Sequence, residues 1–234
     1  VRRAWNVDFC VANGENAAGG MGITEKIAEE LTEVGVDVIT SGNHAWDKRE
    51  GVGLIEDGRV LRPANYPSGV AGMGSTVVTT AAGEPVGVLN LQGRAFMRPI
   101  DCPFRVATRE IERLRSETIA ILIDFHAEAT AEKLAMGWYL DGDVAAVLGT
   151  HTHVPTADER VLPKGTAYIT DVGMTGPYGS VIGMDTDLSI RRFLTGLNHR
   201  LEPARDDVRM AAVLVTLDAG TGHASEIERL MLPV

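Results

Sequence analysis

Cysteine is scarce in this chain: Cys10 and Cys102 are the two in 234 residues. Two thiols this far apart make no disulfide framework and suit a reducing compartment, where both read as small core residues. Positive charge is also short, with 22 Lys and Arg against 32 Asp and Glu for a net charge of -10. That balance excludes a general nucleic-acid coat protein, and no binding to double-stranded nucleic acid is expected. A small anion remains compatible, because a local cation centre outweighs a diffuse acidic surface at contact range. No apolar run reaches the length of a membrane span and no signal peptide precedes the first strand-like run, so the expected location is cytoplasmic with no membrane partner. Internal repeats and low-complexity linkers are missing too. With 44% hydrophobic and 23% charged residues, the chain is expected to form one domain, residues 1–234, around one sizeable core.

Short apolar runs alternate with helical patterns in the first part of the chain. Val7–Ala12 predicts a buried strand, Thr24 offers an N-cap to a helix through Ile27, Ala28, Leu31 and Val34 with Gly35 past its end, and Val36–Thr40 predicts the next strand. A charged helical segment spans Asp47–Asp57, and Thr76–Thr80 with Val86–Leu91 reads as a hairpin. Helices are expected over Arg105–Arg115 and Thr130–Leu140, and buried strands over Ile119–Ile123 and Val144–Leu148. A hairpin over Arg160–Ile169 and a closing pair, Ala211–Leu217 with Glu226–Leu232, complete the pattern. Helical crossovers early and hairpins late point to an α/β fold: two mixed sheets packed face to face with helices outside.

What the chain does carry is a set of polar clusters at strand exits. Asn13-Gly14-Glu15-Asn16, Gly42-Asn43-His44, Asp124-Phe125-His126-Ala127-Glu128 and Thr150-His151-Thr152-His153 each follow an apolar run, and strand ends are where α/β folds assemble sites. Imidazoles with one carboxylate and amide oxygens suit Mn, Fe or Zn better than Ca or Cu(I). On extended backbone a His-x-His pair presents both rings to one side, so His151 and His153 reach one metal or two neighbours. Glu15 has two oxygens with which to bridge cations, as in two-metal phosphoryl-transfer sites. Asp124 and Glu128 flank His126 as orienting partners or as cap and surface groups. His199 and His223 lack such a context and read as structural.

Five segments together carry a family resemblance: Asn13–Gly20, Gly42–Asp47, Asp124–Thr130, Gly149–His153 and Thr170–Pro177. In content and order they resemble the bacterial YmdB-like metallophosphoesterases of the calcineurin-like superfamily, which act as 2′,3′-cyclic-nucleotide 2′-phosphodiesterases. The resemblance implies a four-layer α/β/β/α sandwich of two mixed sheets flanked by helices, built around two divalent metal ions, Fe or Mn with Zn as the alternative. It further implies that Glu15 bridges the metals, that Asn16 and His153 serve the first, and that Asn43, His126 and His151 serve the second. His44 would be the general acid that protonates the leaving 2′-oxygen while a metal-bridging hydroxide attacks phosphorus, giving a 3′-nucleotide. A small phosphodiester or cyclic-nucleotide substrate and a homo-oligomer are the implied partners.

One departure stands at the front. The family carries a first strand, ending in Gly-Asp, and a helix that this sequence lacks, and that Asp is a ligand of the first metal. Asp8 is no substitute, because it lies at the opposite end of its strand from Asn13–Asn16. The sequence therefore reads as N-terminally shortened, with a mis-assigned start or a truncation favoured over a genuine short form. The alternative function is a non-catalytic nucleotide- or RNA-binding regulatory protein.

Overall fold

The computed structural model describes residues 2–234. Strands β1 (Val11–Asn13), β2 (Val38–Thr40) and β3 (Val60–Leu61) pair in parallel, joined by helices α1 (Glu25–Glu33) and α2 (Arg49–Glu56). Both helices lay apolar residues on this sheet, where Ala28, Leu54 and Ile55 bury against Ile39 and Val60. Gly35 follows α1 at φ +99°, the left-handed turn that its position past the helix end predicts.

The larger sheet is mixed and six-stranded, containing β4 (Ser75–Thr79), β5 (Pro85–Gln92), β6 (Ala120–His126), β7 (Ala146–Thr150), β8 (Arg160–Val161) and β9 (Ala167–Ile169) in the order β4-β5-β6-β7-β9-β8. The two expected hairpins are its antiparallel margins, β4 with β5 and β8 with β9. The strands between run parallel through α3 (Pro103–Leu114) and α4 (Thr130–Tyr139). Alternation along β6 assigns its two faces. Ile121, Ile123 and Phe125 pack with Val106, Ile111, Leu114 and Met136 of α3 and α4. Leu122 points the other way, toward Val215 and Ile227.

That second face meets another layer of strands. Val88 packs with Val38 and Leu61 of the first sheet, while Ala146, Ala167 and Leu148 pack with residues of β11 (Val208–Leu217) and β12 (Ala224–Pro233). The layers are therefore α/β/β/α, as expected. The smaller β layer differs in detail from a mixed sheet. It consists of the parallel sheet β1–β3 and a separate antiparallel sheet in which β10 (Gly176–Pro177) pairs with β11 and β11 with β12. What holds the antiparallel sheet in the layer is side-chain packing on the six-stranded sheet rather than a shared ladder.

Two further elements differ from the sequence reading. The first strand begins at Val11, not Val7, because the Arg2 guanidinium takes the carbonyls of Val7 and Asp8 and the Asp37 carboxylate takes the Cys10 amide. Helix α5 (Thr186–Thr195) was not expected, since Phe193 and Leu194 face solvent and break the inward apolar stripe. Its signal was at its ends: Asp185 accepts a capping bond from the Leu188 amide, and Gly196 is left-handed at φ 67°. Among the described residues no helix is long and apolar enough to cross a membrane.

Candidate active site

The carboxyl ends of β1, β2, β6 and β7 converge, because both sheets run their parallel strands the same way toward one edge. Glu15 and His126 are each only 1% exposed there. The Nε2 atom of His126 lies 2.6 Å from Glu15 Oε2, 3.0 Å from Asn43 Oδ1 and 3.1 Å from His151 Nδ1. Ligand atoms of Glu15, His126 and His151 all fall within 4.8 Å of one another. Gly42 makes this possible, since a β-carbon on it would lie 2.3 Å from the His126 ring.

Protons on the far side of each ring set which nitrogens face the centre. Glu128 Oε2 stands 3.1 Å from His151 Nε2 and the Ile182 carbonyl 2.9 Å from His153 Nδ1. Both oxygens only accept, so the ring nitrogens facing them donate and the opposite nitrogens keep their lone pairs. His126 Nδ1 lies 2.9 Å from Thr150 Oγ1, whose hydroxyl donates to Asp124 Oδ1 at 2.6 Å. With that hydroxyl spent on Asp124, His126 donates to Thr150 from Nδ1. Nε2 then joins Glu15, Asn43 and His151 as a fourth lone-pair donor aimed at one small volume. Crowded acceptors of this kind call for a cation, and two imidazoles with a carboxylate and an amide oxygen are the donor set of a transition-metal or zinc ion.

Electrostatics follow from the same contacts. In metal-free protein a proton on His126 Nε2 takes the place of a cation: burial acts to raise the Glu15 carboxyl, but the charge and hydrogen bond of that protonated ring and the His44 amide at 2.7 Å hold it below its usual value. Burial, then the like charge of His126, pushes the His151 ring down to about 4, which keeps it neutral and able to ligate. Burial raises the Asp124 carboxyl against the opposing effects of His126 and of hydrogen bonds from Thr150, Thr40 and Asn13.

Of the residues expected from sequence, Glu15, Asn43, His126 and His151 come together. His44 stands beside them through its amide on Glu15, its side chain one-third exposed. Asn16 and His153 lie outside this group: the Asn16 amide donates to the Gly20 carbonyl at 2.7 Å, and His153 faces Ile182. The His-x-His segment is not extended backbone. β7 ends at Thr150, and His151 and His153 adopt left-handed φ values of 105° and 67°, so strand alternation does not orient them. Asp47 reads in sequence as part of a charged helix, yet its carboxylate lies 2.7 Å from His44 Nδ1. The i,i+3 spacing of a carboxylate and a histidine after a strand exit was the available signal. Thr150 gave none, because hydroxyl roles depend on the partner across the sheet.

The sequence matches the YmdB-like protein family over residues 1–230. The chain belongs to the YmdB-like family. A Bacillus subtilis relative named 2′,3′-cyclic-nucleotide 2′-phosphodiesterase is 52% identical over 225 residues, which is 96% of this chain and 85% of that protein. Two crystal structures superpose closely. A Thermus thermophilus protein has a TM-score of 0.92 at 43% identity, covering 97% of this chain and 88% of that one. A Mycoplasma pneumoniae protein described as a novel phosphatase has a TM-score of 0.90 at 35% identity, covering 99% and 84%. Membership makes this YmdB-like chain a hydrolytic enzyme in a family of phosphatases and phosphodiesterases.

Proposed function

We propose that the chain hydrolyses phosphodiesters with the help of two divalent cations, Mn or Fe, and that 2′,3′-cyclic nucleotides are its substrates and 3′-nucleotides its products. The observation that carries this reading is the convergence of four lone-pair atoms, on Glu15, Asn43, His126 and His151, beside an oriented imidazole in His44. The name of the Bacillus subtilis relative at 52% identity supplies the substrate class.

Glu15, Asn43, His126 and His151 would hold one cation, with Asn16 and His153 serving the other. When bound, such ions activate water and draw charge from the non-bridging phosphate oxygens. Glu128 and Thr150 keep the ligand nitrogens of His151 and His126 deprotonated by taking the proton on the opposite ring atom. Asp47 plays a different part for His44: it accepts the Nδ1 proton of the ring, leaving Nε2 to face the substrate, and in the imidazolium form Nε2 carries the proton that is delivered. His44 Nε2 then protonates the departing 2′-oxygen, a general-acid step worth about 10²–10⁴-fold.

The test is turnover of 2′,3′-cyclic AMP by protein stripped of metal and reloaded with Mn²⁺, with the product resolved by chromatography. Release of 3′-AMP, lost with metal or in His44→Ala by about 10²-fold or more, is the expected result. Binding of the nucleotide without turnover at any metal load would overturn the reading in favour of a regulatory binding protein.

A further inference from the structure

The catalytic reading leaves one buried ion pair unused. Lys133 of α4 and Asp171, two residues past β9, are each 1% exposed and meet at 2.6 Å between Nζ and Oδ2. A buried pair is weak evidence for stability, because desolvation cancels much of its attraction. Its remaining contacts point to a purpose. The same Oδ2 atom accepts the Thr152 hydroxyl at 2.8 Å and the Thr152 amide at 3.1 Å, while Oδ1 accepts the Gly173 amide at 2.9 Å. Thr152 is the residue between the two histidines.

Those histidines need holding. His151 at φ 105° and His153 at φ 67° occupy a region that residues with a β-carbon enter at a cost, and such conformations persist only when neighbours over-determine them. The chain from β9 is pressed onto the base of the loop, since a β-carbon on Gly149 would lie 1.7 Å from the Thr170 carbonyl oxygen and 3.1 Å from Lys133 Cδ. Val172 and Met174 donate their amides to Gly149 and His153, so the Asp171 carboxylate is delivered beneath Thr152 from a fixed backbone.

We infer that Lys133, Asp171 and Thr152 form a clamp that positions His151 and His153 for metal binding, an inference that rests on the metal-ion reading above. Lys133 balances the charge of the Asp171 carboxylate and holds it in place, and Asp171 fixes Thr152 by two bonds. The strained backbone then keeps both rings in position before any ion arrives. These are positioning residues and touch no substrate.

Thr152→Val tests the clamp without disturbing the buried pair, since it removes one hydroxyl at nearly constant volume. In metal-stripped protein, amide hydrogen exchange over residues 151–153 should quicken about tenfold, and the Mn²⁺ dissociation constant measured by calorimetry should rise about tenfold. Thr152→Ser should restore both, and melting temperatures of both variants should stay within a few degrees of the parent. Asp171→Asn should weaken Mn²⁺ binding further, and if it fails to fold the Thr152 pair decides alone. Unchanged exchange, or unchanged Mn²⁺ affinity alongside faster exchange, overturns the clamp. A parent protein that binds no Mn²⁺ overturns the proposed function instead, and the exchange data then judge the clamp by themselves.

Discussion

Replacing Gly42 by alanine should disable the site through a single methyl group. The β-carbon would stand 2.3 Å from Cδ2 and Nε2 of His126 and 2.5 Å from its Cγ, where ordinary contacts begin near 3.4 Å. Either the ring or the Gly42 backbone must therefore retreat by about 1 Å. The ring has little freedom to do so, being 1% exposed and tied at Nδ1 to Thr150. Backbone retreat would carry Asn43 with it, whose Oδ1 stands 3.0 Å from the same ring atom. Overpacking of this kind costs about 1–3 kcal/mol, and a displacement near 1 Å at a reacting centre costs about 10²-fold in rate. Thermal unfolding of metal-free protein and kcat/KM for 2′,3′-cyclic AMP with Mn²⁺ measure the two effects separately. A variant that turns over normally, whatever its stability, would refute the link between the Gly42 backbone, His126 placement and activity.

Three further predictions follow from other contacts. Asp47→Asn replaces the carboxylate at 2.7 Å from His44 Nδ1 with a neutral amide, removing the charge that holds the Nδ1 proton while Nε2 gives up its own; kcat should fall about tenfold or more with little change in Mn²⁺ affinity, and an unchanged kcat removes Asp47 from the mechanism. In metal-stripped protein, stability should decline as pH falls. His151 has a pKa of about 4 in the fold against about 6.5 unfolded, so its contribution is complete above the unfolded value and is lost on the way down to 4. The depressed Glu15 carboxyl acts in the same direction at lower pH, below its ordinary range; the His151 step is worth about 2 kcal/mol once screening of its partly exposed ring is allowed for, and denaturant midpoints that stay level between pH 7 and pH 4 would contradict this. Phe125→Ala empties a fully buried site between β6 and the helices α3 and α4 and should cost about 3–5 kcal/mol, read as a lowered denaturant midpoint with an unchanged m-value.

Much of the molecule is legible from local pattern. The run Ile119–Ile123 predicts β6, and the helix before it and the helix after it follow from amphipathic spacing, because burial of one face is a property of nearby residues. The strand ends, and with them Glu15, Asn43, His44, His126 and His151, are visible for the same reason. Helix α5 escaped because its apolar residues face outward, and the early part of β1 was over-read because Arg2 and Asp37 claim backbone groups that a strand ladder would otherwise use.

What the amino-acid order determined by itself was therefore the inventory: which strands exist, which polar residues stand at their exits, and the family to which that set of motifs belongs. The tertiary structure decided how those residues meet. Asp124 reaches His126 only through Thr150 on the neighbouring strand, Asp47 turns back onto His44, and Asp171 grips Thr152 from a segment that follows it by nineteen residues. Periodicity reports which face of an element is buried, whereas the direction of a proton on a ring depends on the atom opposite it, and that atom is supplied by packing.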